Sequence, residues 1–215
     1  MNGYFIQGML MNGYEFLASA VPFLIVFLIL RGRKQKAVKN GLVYAATIAA
    51  FLVYLCGVFH FTGAGTIWEP IRYGGTGETF LQGEVNLVPL SRGIDPVGYG
   101  LNVVLFLPFG FLLPLLWRET DTLWRTAGGA AMLSVLVELS QLVNNRSTDV
   151  DDLIMNTLGG VLGYGVFKLL DRIAGGRFRV RGNAQIGPFL FVAVAFLGRF
   201  FFFDEMGVAG ILYGF

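Results

Sequence analysis

Six blocks of mostly apolar residues, each 17–21 long, recur along this 215-residue chain, and no other feature restricts its fold as much. They lie at about 13–30, 41–61, 101–117, 127–143, 152–170 and 186–203. A helix rising about 1.5 Å per residue needs roughly 20 residues to cross a hydrocarbon core. Inside lipid, each backbone polar group has to be paired within its own segment. The expected fold is therefore all-α, a polytopic membrane bundle of about six transmembrane helices in a single membrane domain covering 1–215. Composition agrees, with 55% hydrophobic and only 14% charged residues and a mean hydropathy of +0.65. Soluble domains carry about 25% charged residues. The tail at 204–215 is too short to cross. Pro22, and likewise Pro108, Gly110 and Pro114, read as bends within their runs. The N-terminus lacks the basic stretch of a secretory signal peptide, so 13–30 is read as a retained span. The lone Cys56 says nothing about a redox compartment.

Six spans put alternate connections on opposite sides, and the basic residues choose the orientation. Arg31, Arg33, Lys34, Lys36, Lys39, Arg118, Arg125, Lys168, Arg172, Arg177, Arg179 and Arg181 share one side, against Arg72, Arg92, Arg146 and Arg199 on the other. The positive-inside rule places the first set in the cytoplasm and both termini outside. The outer side then collects the acids, and the glycine-rich segment at 62–100 (Gly74, Gly75, Gly77) carries a formal −2. A cationic ligand is favoured there, less so once salt screens it.

The polar residues of 134–164 are ordered. Ser134, Glu138 and Gln141 share one helical face, and Asp149, Asp152 and Asn156 repeat that logic on the next run, with Arg146 in the connection. Glu138 lies about 9 Å below the connection and Asn156 about 6 Å, so an antiparallel hairpin brings them to similar depth. An outward-opening pocket of Glu138, Gln141, Asp152 and Asn156 is expected, with Arg146 as counter-charge suited to a carboxylate or phosphate. Plainer readings stand beside it. Thr148 and Asp151 have capping-box spacing, and Asp149, Asp151 and Asp152 complement a helix dipole. Glu138 has a structural reading as the partner of Arg146, and Gly159 with Gly163 reads as close helix packing. Glu138, Asp149 and Asp152 also suit Mg²⁺ or Ca²⁺. Cys56 and His60 share a face but make no zinc site by themselves. A hydroxyl nucleophile would require His60 to meet Ser91 or Ser140. Asn86 and Asn102 flank the outer mouth of the third run.

Together, NLVPL at 86–90, NVVLFLPFGFLLPLL at 102–116, VELSQ at 137–141 and RSTDVDDLIMNTLGGVLGY at 146–164 resemble the VanZ-like family, named for a teicoplanin-resistance protein of bacteria. The resemblance covers about 85–165. It implies a multi-pass protein of the bacterial cell membrane linked to glycopeptide and lipoglycopeptide tolerance. By position, Asn86, Asn102, Glu138, Gln141, Arg146, Asp149, Asp152 and Asn156 match the family's recurrent polar residues. Asp151 falls at a variable position, which favours capping. No metal, cofactor or catalytic residue comes with it.

The expected function is binding of an amphiphile at the envelope, such as a lipid-linked cell-wall intermediate or a lipoglycopeptide, with membrane lipids as partners and no nucleic acid. An intramembrane hydrolase or transferase using Glu138, Asp149 and Asp152 as base or metal ligands is the alternative. A small transporter ranks third, because the span centres look nearly free of charge, and a structural partner of other envelope proteins also stands.

Overall fold

Helix starts in this chain are written by caps as well as by hydropathy. A computed structural model describes residues 2–32, 41–73, 83–144, 146–176, 178, 180 and 187–214. The basic residues of 33–40, the glycines at 74, 75 and 77 with Glu78, and Arg177, Arg179 and Arg181 lie outside the described residues. The helices are α1 (Asn2–Gly32), α2 (Gly41–Thr62), α3 (Trp68–Tyr73), α4 (Pro96–Leu116), α5 (Leu123–Val143), α6 (Val150–Ile173), α7 (Pro188–Phe202) and α8 (Glu205–Tyr213). Asp95 caps α4 by accepting from the Val97 and Gly98 amides, with Pro96 at the first helical position, so α4 begins five residues before the apolar run. Thr122 caps α5. Asp204 caps α8, which ends on Gly214 at φ 78°, so the tail expected only to be too short to cross is a helix. The first helix likewise starts at Asn2, well before residue 13.

Five of these helices, α1, α2, α4, α5 and α6, are long and apolar enough to cross a membrane. The expected sixth span is α7, an apolar helix of 15 residues, shorter than the roughly 20 that a crossing requires. It nevertheless runs the length of the core beside α1. Phe191 meets Phe23 and Phe27, and Arg199 meets Glu15 one helix turn or more beyond. The ends of α2, α5 and α7 and the starts of α4 and α6 gather at one end of the bundle, joined by Gly65 to Ser140, Arg199 to Ala64 and Asn102 to Asp152. Gln7 reaches the Leu212 carbonyl there as well. This is the end that the charge asymmetry assigns to the outside. At the other end, Phe27 meets Tyr44 and Lys168 pairs with Asp121 at 3.3 Å.

The core is aromatic. Phe23, Phe51, Phe59, Phe106, Phe109, Trp117 and Phe191 are all at 1% exposure or less, and the Trp117 ring lies 5.3 Å from Phe51 and 5.9 Å from Phe191. The most extensive helix pair is α4 with α6. Glycine makes it possible: a Cβ on Gly163 would strike the Leu107 carbonyl, on Gly159 the Val103 carbonyl and on Gly110 the Gly160 carbonyl. Without a hydrophobic drive between helices in lipid, such backbone-to-backbone approach is the main source of association. The long outer segment joins this hairpin through a short parallel pairing of β1 (Val85–Asn86) with β2 (Thr148–Asp149). Its other described element, α3, is tied to α8 by the Arg72–Asp204 pair.

Replacing Gly163 with valine is expected to cost about 1–3 kcal/mol by overpacking, seen as a lower thermal midpoint in detergent. Gly165→Val, on a face with nothing within 4 Å, should leave the midpoint nearly unchanged. The Arg72 guanidinium beside Asp204 holds that carboxyl below its ordinary range. Because a depressed folded-state pKa adds stability above the unfolded value, the α3–α8 tether should hold above pH ~4 and loosen as pH falls further. Limited proteolysis of the 205–214 region across pH 3–6 (about that range) checks this, and Arg72→Ala should abolish the dependence.

Candidate functional site

The site begins where α2 stops. Gly63 takes φ +62°, a conformation that glycine adopts at no steric cost, and the chain turns through 63–66 against α5. The Thr62 carbonyl accepts from Gln141 Nε2 at 2.7 Å, and the Gly63 carbonyl from Arg146 Nη1 at 2.9 Å. The Ala64 carbonyl accepts from Arg199. The Gly65 amide donates to Ser140 Oγ at 2.9 Å, and the Thr66 amide to Asn144 Oδ1 at 3.2 Å.

Below this turn lies a cavity of about 540 Å³, lined by Phe61 and Thr62 of α2, Asn102 of α4, Val137, Glu138 and Gln141 of α5, Arg146 and Ser147, and Asp152 and Asn156 of α6. The α5 stripe points inward as its spacing requires, with Ser134, Glu138 and Gln141 all buried. Asn156 donates to Ser134 Oγ at 2.9 Å, so it pairs one turn deeper than Glu138. Asn102 Nδ2 donates to Asp152 Oδ1 at 2.6 Å. Two buried acceptors, Glu138 Oε2 and Asn156 Oδ1, have no hydrogen-bond partner. Leaving such a group without a hydrogen bond costs about 1–3 kcal/mol.

Of the eight residues singled out in the sequence, six line this cavity and two stand apart. Asp149 is the N-cap of α6, accepting from the Asp151 amide at 3.0 Å, and it also accepts from Asn86 Nδ2 at 3.1 Å. Asn86 in turn accepts from the Val88 amide and Ser91. These two residues anchor the outer segment to the hairpin. The Thr148–Asp151 capping box does not form, because Thr148 is held in the β pairing and bonds the Glu138 carbonyl. Asp151 instead accepts from the Leu90 amide and from Tyr99 Oη, fixing Leu90 at φ 61°. Arg146 sits exposed on the rim, its guanidinium on a backbone carbonyl. It also borders a smaller hollow with Glu69, Arg199 and Glu205, where burial and then Glu205 push the Glu69 carboxyl up.

The chemistry weighed for other residues takes a different shape. Among the described residues, no three His, Cys, Asp or Glu side chains are placed to hold a metal ion. His60 meets neither serine. Its Nδ1 lies 2.7 Å from Glu15 Oε2, Ser140 Oγ bonds Gly65 and the Val137 carbonyl, and Ser91 bonds Asn86. Glu15 also receives Arg199 Nε at 2.9 Å. The buried pair Glu15–Arg199 overturns the expectation of spans nearly free of charge. Its signal was present in the chain: one acid in the first run and one base in the sixth, each too costly in lipid to stand alone.

The family model described as VanZ/LLP1 matches residues 49–171, more than half of the chain. The chain belongs to that family. Among curated proteins it is similar to Protein VanZ of Enterococcus faecium, 36% identical over 72 residues, which are 33% of this chain and 44% of that protein. The match thus spans less than half of that relative's length. No solved structure matches significantly. With five helices able to span, this member of the family is a multi-pass membrane protein. The family match extends beyond 85–165 on both sides and contains every residue lining the large cavity, whereas Glu15 and Arg199 fall outside it.

Glu15→Leu and Arg199→Leu are each expected to destabilise the fold by roughly 3–5 kcal/mol, since each leaves an uncompensated buried charge. The double variant should be less destabilised than the sum of the two. Thermal unfolding of all four proteins in detergent gives the cycle, and simple additivity would remove the pair from any central role.

Proposed function

We propose that the cavity below the 62–66 turn binds the headgroup of a membrane amphiphile. The observation that carries this is a cavity large enough for a headgroup and lined by Glu138, Asp152, Asn102, Gln141 and Asn156, two of which also hold an acceptor with no protein partner. A ligand offering N–H or O–H donors supplies what they lack. Two carboxylates, Glu138 and Asp152, face inward, so ammonium or hydroxyl groups belong at the bottom. Arg146 on the rim suits a phosphate or carboxylate nearer the water. Gln141, Asn102 and Asn156 orient the bound group.

A lipid-linked cell-wall intermediate and a lipoglycopeptide both combine a hydrocarbon anchor with a polar headgroup. In this reading, tolerance to teicoplanin-type drugs comes from occupancy of the cavity, with no bond made or broken. The model probe is phosphatidylethanolamine, which pairs an ammonium with a phosphate. A p-benzoylphenylalanine in place of exposed Ser147 should capture the tritiated lipid from vesicles, and unlabelled teicoplanin should compete. Glu138→Gln should lower capture roughly tenfold, about the weight of one hydrogen bond to a charged group. Equal capture by the parent, Glu138→Gln and Asn156→Leu proteins would sink the headgroup reading.

A further inference from the structure

The four helices around the cavity do not close on every side. α5 packs on α6 and α6 on α4, while Gln141 and Ser140 bind the 62–66 turn to α5. The fourth side, between α2 and α4, is held lower down. Tyr54 Oη donates to the Leu105 carbonyl at 2.9 Å, and the rings of Tyr54 and Phe51 lie against Phe109. Phe61 stands seven residues above Tyr54 on the same face of α2, about 10 Å higher. Asn102 stands three residues above Leu105 on α4, about 4–5 Å higher. Among the described residues, no hydrogen bond or ring contact joins α2 to α4 above the Tyr54–Leu105 bond. Phe61 lines the cavity and is still 77% exposed. Next to Asn102, Leu101 is 64% exposed, on a stripe with Val97 and Val104. The cavity lining therefore runs from the polar rim at Arg146 and Ser147 to exposed, apolar Phe61 of α2 and to Asn102 of α4, whose neighbour Leu101 is exposed as well.

Phe61 and Leu101 belong to helices long and apolar enough to span the membrane, and exposed apolar side chains on such helices suit a lipid neighbour. We propose that a lipid enters the cavity sideways from the outer leaflet, between the upper ends of α2 and α4, and leaves its acyl chains in the groove beside Phe61 and Leu101. This rests on the headgroup reading of the cavity and names the route and the class of ligand, a chain-bearing bilayer lipid. Sideways entry spares the chains a passage through water, which apolar surface strongly disfavours. Phe61 and Leu101 act as a lipid-facing threshold, and the Tyr54–Leu105 bond sets its floor.

The test uses the full chain with Cys56→Ser, Phe61→Cys and Leu101→Cys, carrying the same photoprobe at position 147 in phosphatidylglycerol vesicles doped with tritiated phosphatidylethanolamine. A disulfide-containing bis-maleimide then bridges the two new thiols. Bridging should lower lipid capture roughly tenfold, reduction of the linker should restore it, and capture of chain-free glycerophosphoethanolamine should be unaffected. Undiminished lipid capture through the bridge would mean entry by the polar rim and overturn the proposal. Equal loss of the chain-free probe would overturn it too, since the cavity itself would then be blocked. Absence of capture before bridging is a different result, and it refutes the headgroup reading on which this one rests.

Discussion

The carbonyls of Thr62, Gly63 and Ala64, at and just past the end of α2, lie beyond the reach of its helical hydrogen bonds, and at membrane depth water does not reliably supply partners. Side chains from three other elements take them: Gln141 of α5, Arg146 of the connection and Arg199 of α7. Two returning bonds, from the Gly65 and Thr66 amides to Ser140 and Asn144, complete the join. Much else follows from this one requirement. It pins α2 to the end of α5, so the polar stripe of α5 faces a turn of backbone rather than lipid. The space beneath that turn is the cavity.

The same turn links two polar systems of opposite character. On one side, Arg199 is neutralised by Glu15, which also meets His60. Here the buried charges are paired with each other, as a buried charge must be. On the other side, Glu138 and Asn156 keep acceptors unpaired in an open cavity. Paired charge is what a fold needs. The proposed headgroup site rests on this second arrangement.

Much of this was legible from the chain. The all-α, multi-span class follows from apolar length, because lipid imposes one solution on the backbone. The inward face of Ser134, Glu138 and Gln141 follows from helical spacing. The separation of Asp149 from Asp152 did not follow. They are three residues apart and equally suited to a pocket, but Asp149 lies at the start of α6, where the amides of its first turn claim it. Asp151 was read as the cap and instead holds Leu90, because the partner comes from a segment some sixty residues away. The Glu15–Arg199 pair escaped for the same reason, with 184 residues between its members.

By itself, then, the sequence determined a helical membrane bundle, its polar hairpin and the inward face of the α5 stripe, since these depend on short-range geometry and on the solvent. Only the tertiary structure decided which carboxylates are consumed by caps and pairs and which are left facing a cavity. That choice depends on donors brought from distant segments, and local spacing carries no record of them.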